Sequence, residues 1–372
     1  MKSERERAQW MFELLAVLHL HELRAAGEGN VLTPRLERTL AGMQRMPAED
    51  WEQLLKFAEL QRVRLRTLHV LSRWVSAGAL RLNLDRLDHM ILEEERRNRH
   101  ALAALQRVIV TLEQTGHTPI VIKTLDHWPD IGSDLDLFTS ASEQATVAAL
   151  RDELHAEVQP QSWGDRLAHK WNFRIPDLPQ LVEIHIGRLG QTGEQHALPE
   201  HLEQTSMIRE AGPFEFRVPA PEEQVTLATL QRMYRHFYIR LTDVLNLTRL
   251  VREGRLDFVR LRNSANRWSI WPGAATLLRI ASDANERAGA GALPLPQFVI
   301  RDARFGANVT FMGEQFLRVP MMPQGFQLFL QQMAGAGATF DIPALARLSL
   351  FPALAAAAFV NLRMTGSDKG IW

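Results

Sequence analysis

Apolar residues recur at intervals of three and four through most of the first hundred positions. EDWEQLLKFAELQRVRLRTLHVLSRWVSAG carries this helical period to Gly78, and LDRLDHMILEEERRNRHALAALQRVIVTLEQTG continues it to Gly116. The mixed acids and bases midway along the second stretch read as a solvated helix face. After Gly116 the period changes. Pro119 to Lys123 is a short β-branched run, and LDHWPD is a turn or a single helical turn. SDLDLFT then alternates Leu135, Leu137 and Thr139 with Asp134, Asp136 and Phe138, the two-residue period of a strand. Ala141 to Leu154 follows as a helix capped by Ser142, with an apolar stripe through Val147, Leu150 and Leu154. HKWNFRIP and LVEIHIG form a hairpin across Asp177–Gln180, and FEFRVP, from Phe214 to Pro219, adds a strand. Together they place a mixed sheet between residues 117 and 219.

Pro219 and Pro221 mark a boundary, beyond which the longest helical pattern runs unbroken from Glu222 to Gly254. A second helix through TLLRIASDANERAG ends near Gly289. The apolar run Leu348 to Val360 reads as a buried helix, too short to cross a bilayer, and the terminal GSDKGIW as weakly packed. The expected fold is α+β, a mixed sheet flanked by helices with helical N-terminal and C-terminal regions. Its expected divisions are a helical region over 1–100, a sheet-bearing core over 101–219, a helical domain over 220–290 and a mixed or helical region over 291–372.

Composition narrows the chemistry. The chain of 372 residues has no cysteine, which removes disulfides, thiolate catalysis, iron–sulfur clusters and cysteine zinc sites. Its 43 basic and 43 acidic residues cancel, so no global field draws in long nucleic acid or an acidic membrane. Only five of the basic residues are lysines: Lys2, Lys56, Lys123, Lys170 and Lys369. Glu4, Glu6, Glu13 and Glu22 interrupt the first apolar stretch, which therefore lacks a signal-peptide core, and the expected location is cytoplasmic.

Three acids carry the candidate chemistry. Asp134 and Asp136, two apart on one strand, point to the same sheet face, and Glu183 in LVEIHIG joins them if its strand is a neighbour. With strands about 4.8 Å apart, three carboxylates can surround one or two divalent ions. An Asp-x-Asp pair by itself also suits an ordinary exposed strand. Here both aspartates lie within a strand that otherwise reads as buried, where side-by-side acids need compensating cations. His185 shares the face of Glu183 and is either a phosphate contact or a packed histidine. Arg232, His236 and Arg240, four apart, make one helix face that either meets phosphates or faces water; Asp243 follows on roughly the same face and braces Arg240 or supports the site. Lys170 and Arg174 share a face of the hairpin beside Glu183, as phosphate contacts or as solvated cations.

VIKTLDHWPDIGSDLDLF resembles the signature of the nucleotidyltransferase superfamily with the DNA polymerase beta fold. More closely, it resembles a poorly characterised bacterial branch of that superfamily. In that branch a strand ending in Lys-Gly leads to an acid-x-acid strand, then an acid-x-His strand, then a helical domain with a histidine and an aspartate. The matching elements are Lys123-Thr124, Asp134-Leu135-Asp136, Glu183-Ile184-His185, and His236 with Asp243, over about residues 95 to 250. The resemblance implies a nucleotidyltransferase-type sheet with residues 101–219 as catalytic core. It implies that Asp134 and Asp136 hold the metals through which a nucleoside triphosphate binds, and that Glu183 is the third carboxylate, metal-directed and positioned to orient or deprotonate an acceptor hydroxyl. Lys123 and Thr124 take the place of the glycine-rich triphosphate turn, and threonine where glycine is usual is a departure. Ser133, in the turn into the acid strand, joins the candidate phosphate contacts.

The implied cofactor is Mg2+, with Mn2+ as the alternative. The implied substrate is a nucleoside triphosphate whose monophosphate passes to a small-molecule or protein acceptor, releasing pyrophosphate. The competing expectation is a nucleotide-binding or interaction protein of the same fold with weak or no catalysis. A phosphotransferase of another fold would need a G-x-x-x-x-G-K-[ST] loop, and the sequence has none.

Overall fold

The computed structural model describes residues 3–28 and 33–365; the terminal GSDKGIW, expected to pack weakly, lies outside the described residues. Two compact units divide the chain. One comprises Met1–Asn98, His236–Val259 and Pro272–Gln327, the other Arg99–Arg235, Arg260–Trp271 and Leu328–Trp372. The segment 220–290 is thus shared between them.

In the second unit, β1 (Ile120–Val121), β2 (Asp134–Thr139), β3 (Glu157–Val158), β4 (Lys170–Arg174) and β5 (Leu181–Ile186) form a mixed sheet in the order β1-β2-β5-β4-β3. β2 and β5 are parallel and the other pairs antiparallel. The architecture is therefore the α+β arrangement that the change of period at Gly116 predicts. One sheet face is apolar: Leu135, Leu137, Val182 and Ile184 pack with Ala101, Leu105, Val108 and Leu112 of the helix Leu84–Glu113. Those four helix positions recur at three and four, so one stripe covers the sheet. Because side chains alternate along a strand, burying the leucines sends Asp134 and Asp136 to the opposite face.

The strand FEFRVP is present as β7 (Phe214–Val218) but does not join this sheet. It pairs with β6 (Met207–Ala211) in a separate two-stranded ribbon. The tight connection at Gly212, with φ +59°, makes the adjacent segment the nearest partner. β3 and β6 carried no clear sequence signal; each is a mostly exposed strand without apolar alternation.

The first unit is built around the helix Glu4–Glu28, which packs against the helices Pro34–Gln44, Ala48–Leu60, Arg64–Ser76 and Leu241–Arg252. Its residues from Met11 to His21 are almost all buried apart from Glu13, the pattern of a central helix. β8 (Tyr238–Ile239), β9 (Phe311–Met312) and β10 (Leu317–Arg318) form a small sheet there in the order β8-β10-β9.

The unbroken helix expected from Glu222 to Gly254 is absent. An α-helix over Pro221–Thr229 passes into a π-helical turn over Leu230–Arg235, and Phe237 lies in the left-handed region at φ +51°. Tyr238 and Ile239 then pair with β10, and a new helix begins after Arg240. The aromatic and β-branched residues of HFYI satisfy their backbone in the sheet, and Asp243 caps the next helix by accepting from the Arg240 N–H at 2.7 Å. Arg232, His236 and Arg240 therefore do not share a helix face.

Candidate functional site

Asp136 pairs in register with Glu183 across the parallel β2–β5 ladder, and Asn172 of β4 lies opposite Glu183 on its other side. His185, two residues beyond Glu183, shares its face, with Lys170 opposite. Asp136, Glu183 and His185 present ligand-type atoms within 4.8 Å of one another, and among the described residues theirs is the group with this geometry. Two carboxylates and an imidazole suit a divalent ion. Asp134 lies outside that group: it sits two positions before Asp136, and its Oδ2 accepts from the Ser133 hydroxyl at 3.0 Å.

The compensating cations come from the chain itself. Lys123 Nζ makes a close ion pair with Asp136 and lies 3.4 Å from Glu183 Oε1. Lys170 Nζ bridges Glu183 Oε2 at 3.0 Å and Asp165 Oδ1 at 2.6 Å. Two of the five lysines in the chain thus stand on this one sheet face. Asp165 is placed by a capping box at the start of the helix Trp163–Leu167, where it exchanges backbone bonds with Ser162. The Ser-x-x-Asp spacing was visible in the sequence; its role opposite Lys170 was not.

Backbone geometry aims Lys123. Its φ of +63° and ψ of −46°, with Thr124 N–H donating to the Ile122 carbonyl at 2.7 Å, make it the centre of a γ-turn, a strained conformation for a residue with a side chain. Thr124 is buried, and its hydroxyl accepts from the Asp136 N–H at 2.6 Å. The Thr124 side chain therefore ties the turn to the acid strand.

Charge coupling separates the acids. Burial pushes Asp136 up to about 7, reinforced by Glu183 and opposed by Lys123. Burial also pushes on Glu183, but Lys123, Lys170 and the bond from His185 outweigh it and hold Glu183 well below the usual range. Asp136 holds a proton more readily than Glu183, because Lys123, Lys170 and His185 all favour the ionised form of Glu183. Burial lowers His185 to about 4, so its ring is neutral. With Nε2 3.1 Å from Glu183 Oε1, Nε2 carries the hydrogen, and the buried Nδ1 has no partner among the described residues.

Arg174 is exposed, opposite Glu157 of the edge strand β3. Arg232 is 1% exposed, within the π-helical turn. His236, Arg240 and Asp243 belong to the first unit: His236 lies beside Tyr238, and the Arg240 guanidinium packs over the rings of Tyr238 and Phe316. Arg235, which no pattern singled out, is the arginine near Lys123, whose charge it opposes.

Comparison with known proteins finds no matching family model, no matching curated protein and no matching solved structure.

Proposed function

We propose that the chain is a metal-dependent nucleotidyltransferase. The observation that carries this reading is the pairing of Asp136 with Glu183 on adjacent parallel strands, with His185 completing a set able to hold a metal ion. Asp136, Glu183 and His185 would hold the ion, Mg2+ or Mn2+, with Asp134 two positions before Asp136 on the same strand. Such an ion would supply positive charge to the triphosphate and the leaving pyrophosphate. Lys123 and Lys170 add positive charge on the same face, where it would favour a bound triphosphate. Glu183, kept ionised by two lysines, orients the acceptor hydroxyl. The acceptor oxygen bonds to the α-phosphorus, the bond from that phosphorus to the β-phosphate bridging oxygen breaks, and the hydroxyl proton leaves to solvent or a carboxylate. Balanced overall charge favours a small-molecule or protein acceptor over long nucleic acid. Among the described residues no helix is long and apolar enough to cross a membrane.

A second reading is a nucleotide-binding protein with little turnover. The observation favouring it is that Lys123 and Lys170 already neutralise the carboxylates. Labelled nucleoside triphosphates, Mg2+ or Mn2+ and cell extract separate the two. The enzyme transfers labelled monophosphate and releases pyrophosphate, and Asp136→Asn lowers release by orders of magnitude with melting temperature preserved. Equal release by parent and variant removes Asp136 from the mechanism; binding without release by the parent supports the second reading.

A further inference from the structure

The small sheet of the first unit has two unlike faces. Ile239, Leu317 and Met312, in register across β8, β10 and β9, are all buried. Alternation turns the neighbouring row, Tyr238, Arg318 and Phe311, to the opposite face. That row faces outward: Tyr238 is half-buried, Arg318 is exposed, and Phe311 is 42% exposed. Rings on an outer sheet face keep apolar area that a ligand can still cover.

Each ring of this face has a guanidinium over it. Arg5, from the helix Glu4–Glu28, stands 5.3 Å from the centroid of Phe311, and Arg318 stands 5.5 Å from that of Tyr238. Arg240 lies 5.4 Å from Tyr238 and 5.3 Å from Phe316, and those two rings stack with centroids 4.4 Å apart. A Cβ at Gly313 would press to 3.2 Å from Arg318 Cγ, so the glycine leaves the arginine stem its place. Attraction to a ring face positions a cation without neutralising it. Among the described residues neither Arg5 nor Arg318 has a carboxylate partner, and the array of rings and arginines contains no acid.

We propose that this face binds a short stretch of single-stranded nucleic acid, with bases stacked on the exposed ring and guanidinium planes and phosphates paired with Arg5 and Arg318. An acidic peptide would answer the charges and leave the planes unused. A single strand supplies both an anion and a flat ring at every residue. The row across β8, β10 and β9 spans two strand spacings, about 10 Å. Balanced overall charge removes long-range attraction, but contacts this close lie within a Debye length and depend on the local arginines. The site uses none of the carboxylate cluster and goes beyond the nucleotidyltransferase reading.

Fluorescence anisotropy of the full chain tests it with a labelled oligouridylate of about ten nucleotides, a usual length for single-strand sites, beside a labelled oligoglutamate of equal net charge. The oligouridylate is expected to bind, less tightly as salt rises, and at least about tenfold more tightly than the oligoglutamate. Phe311→Ala and Arg318→Gln, both at exposed positions, should each weaken it about tenfold with melting temperature preserved. Arg318→Lys keeps the charge and loses the planar group, so it should recover little of the Arg318→Gln loss. No binding by the parent, or unchanged affinity in both Phe311→Ala and Arg318→Gln, overturns the site. Equal affinity for the oligoglutamate, or full recovery in Arg318→Lys, also overturns it, by leaving charge as the whole of the recognition. Each of these results leaves the nucleotidyltransferase reading standing.

Discussion

Asp136 and Glu183 stand directly opposite each other on parallel strands, and the Lys123 ammonium lies against both carboxylates. Two acids fixed at strand spacing repel unless a cation answers them, so the lysine, the γ-turn that presents it and the acids form one electrostatic unit.

The strain at Lys123 can be isolated by comparing Lys123→Gly with Lys123→Ala. Both lose the same ion pairs, but glycine adopts φ +63° without penalty. Urea denaturation should show the glycine variant more stable by about 1 kcal/mol. Equal stabilities would mean the turn stores no strain.

Thr124→Val should leave the Asp136 N–H without its acceptor, because the threonine hydroxyl is the group it meets at 2.6 Å. The expected loss is about 1–3 kcal/mol, with faster hydrogen exchange at the Asp136 amide. Thr124→Ser, which keeps the hydroxyl, should stay close to the parent in both measurements.

Lys170→Met removes the cation shared by Asp165 and Glu183, all three side chains being at most 15% exposed. Breaking a buried charge network from one side costs about 3–5 kcal/mol. Adding Asp165→Asn to Lys170→Met should recover part of that loss; if the double variant is no more stable than the single one, the two groups are not coupled.

His19 governs part of the acid response. Burial, then Arg66 and Arg73, lower it to about 3 from an ordinary 6.5, and it is neutral beside the Thr67 hydroxyl at 2.9 Å. The unfolded chain therefore takes up this proton first as pH falls. The neutral ring's contribution is complete above 6.5 and is lost progressively towards 3, at up to about 1.4 kcal/mol per pH unit. His19→Gln, which keeps a hydrogen-bonding group and does not titrate, should flatten stability against pH between those limits. Parallel pH curves for parent and variant would contradict the burial argument.

Local pattern alone made several features legible. The helical period before Gly116, the strand alternation of Asp134–Thr139, the Ser142 cap and the hairpin joining β4 to β5 all depend on residues near in sequence. So does the shared face of Asp134 and Asp136, because alternation is a property of one strand. That Glu183 stands beside Asp136 needed only one further condition, adjacency of its strand, and the β2–β5 ladder meets it, while Asp134 stays outside the group.

What tertiary structure decided are relations between distant segments. The π-helical turn and the capture of Tyr238–Ile239 by β10 override a run whose apolar spacing reads as one helix, because pairing with a partner far along the chain satisfies the same backbone groups. They separate Arg240 from any helical face with Arg232 and leave Arg235 as the arginine near Lys123. The sequence likewise holds Lys123, Lys170 and Asp165 as separate charged residues. They become the counter-charges of the acid pair only where a left-handed turn, a strand register and a capping box bring their side chains to one sheet face, since electrostatic compensation depends on distance in space and leaves no period in the chain.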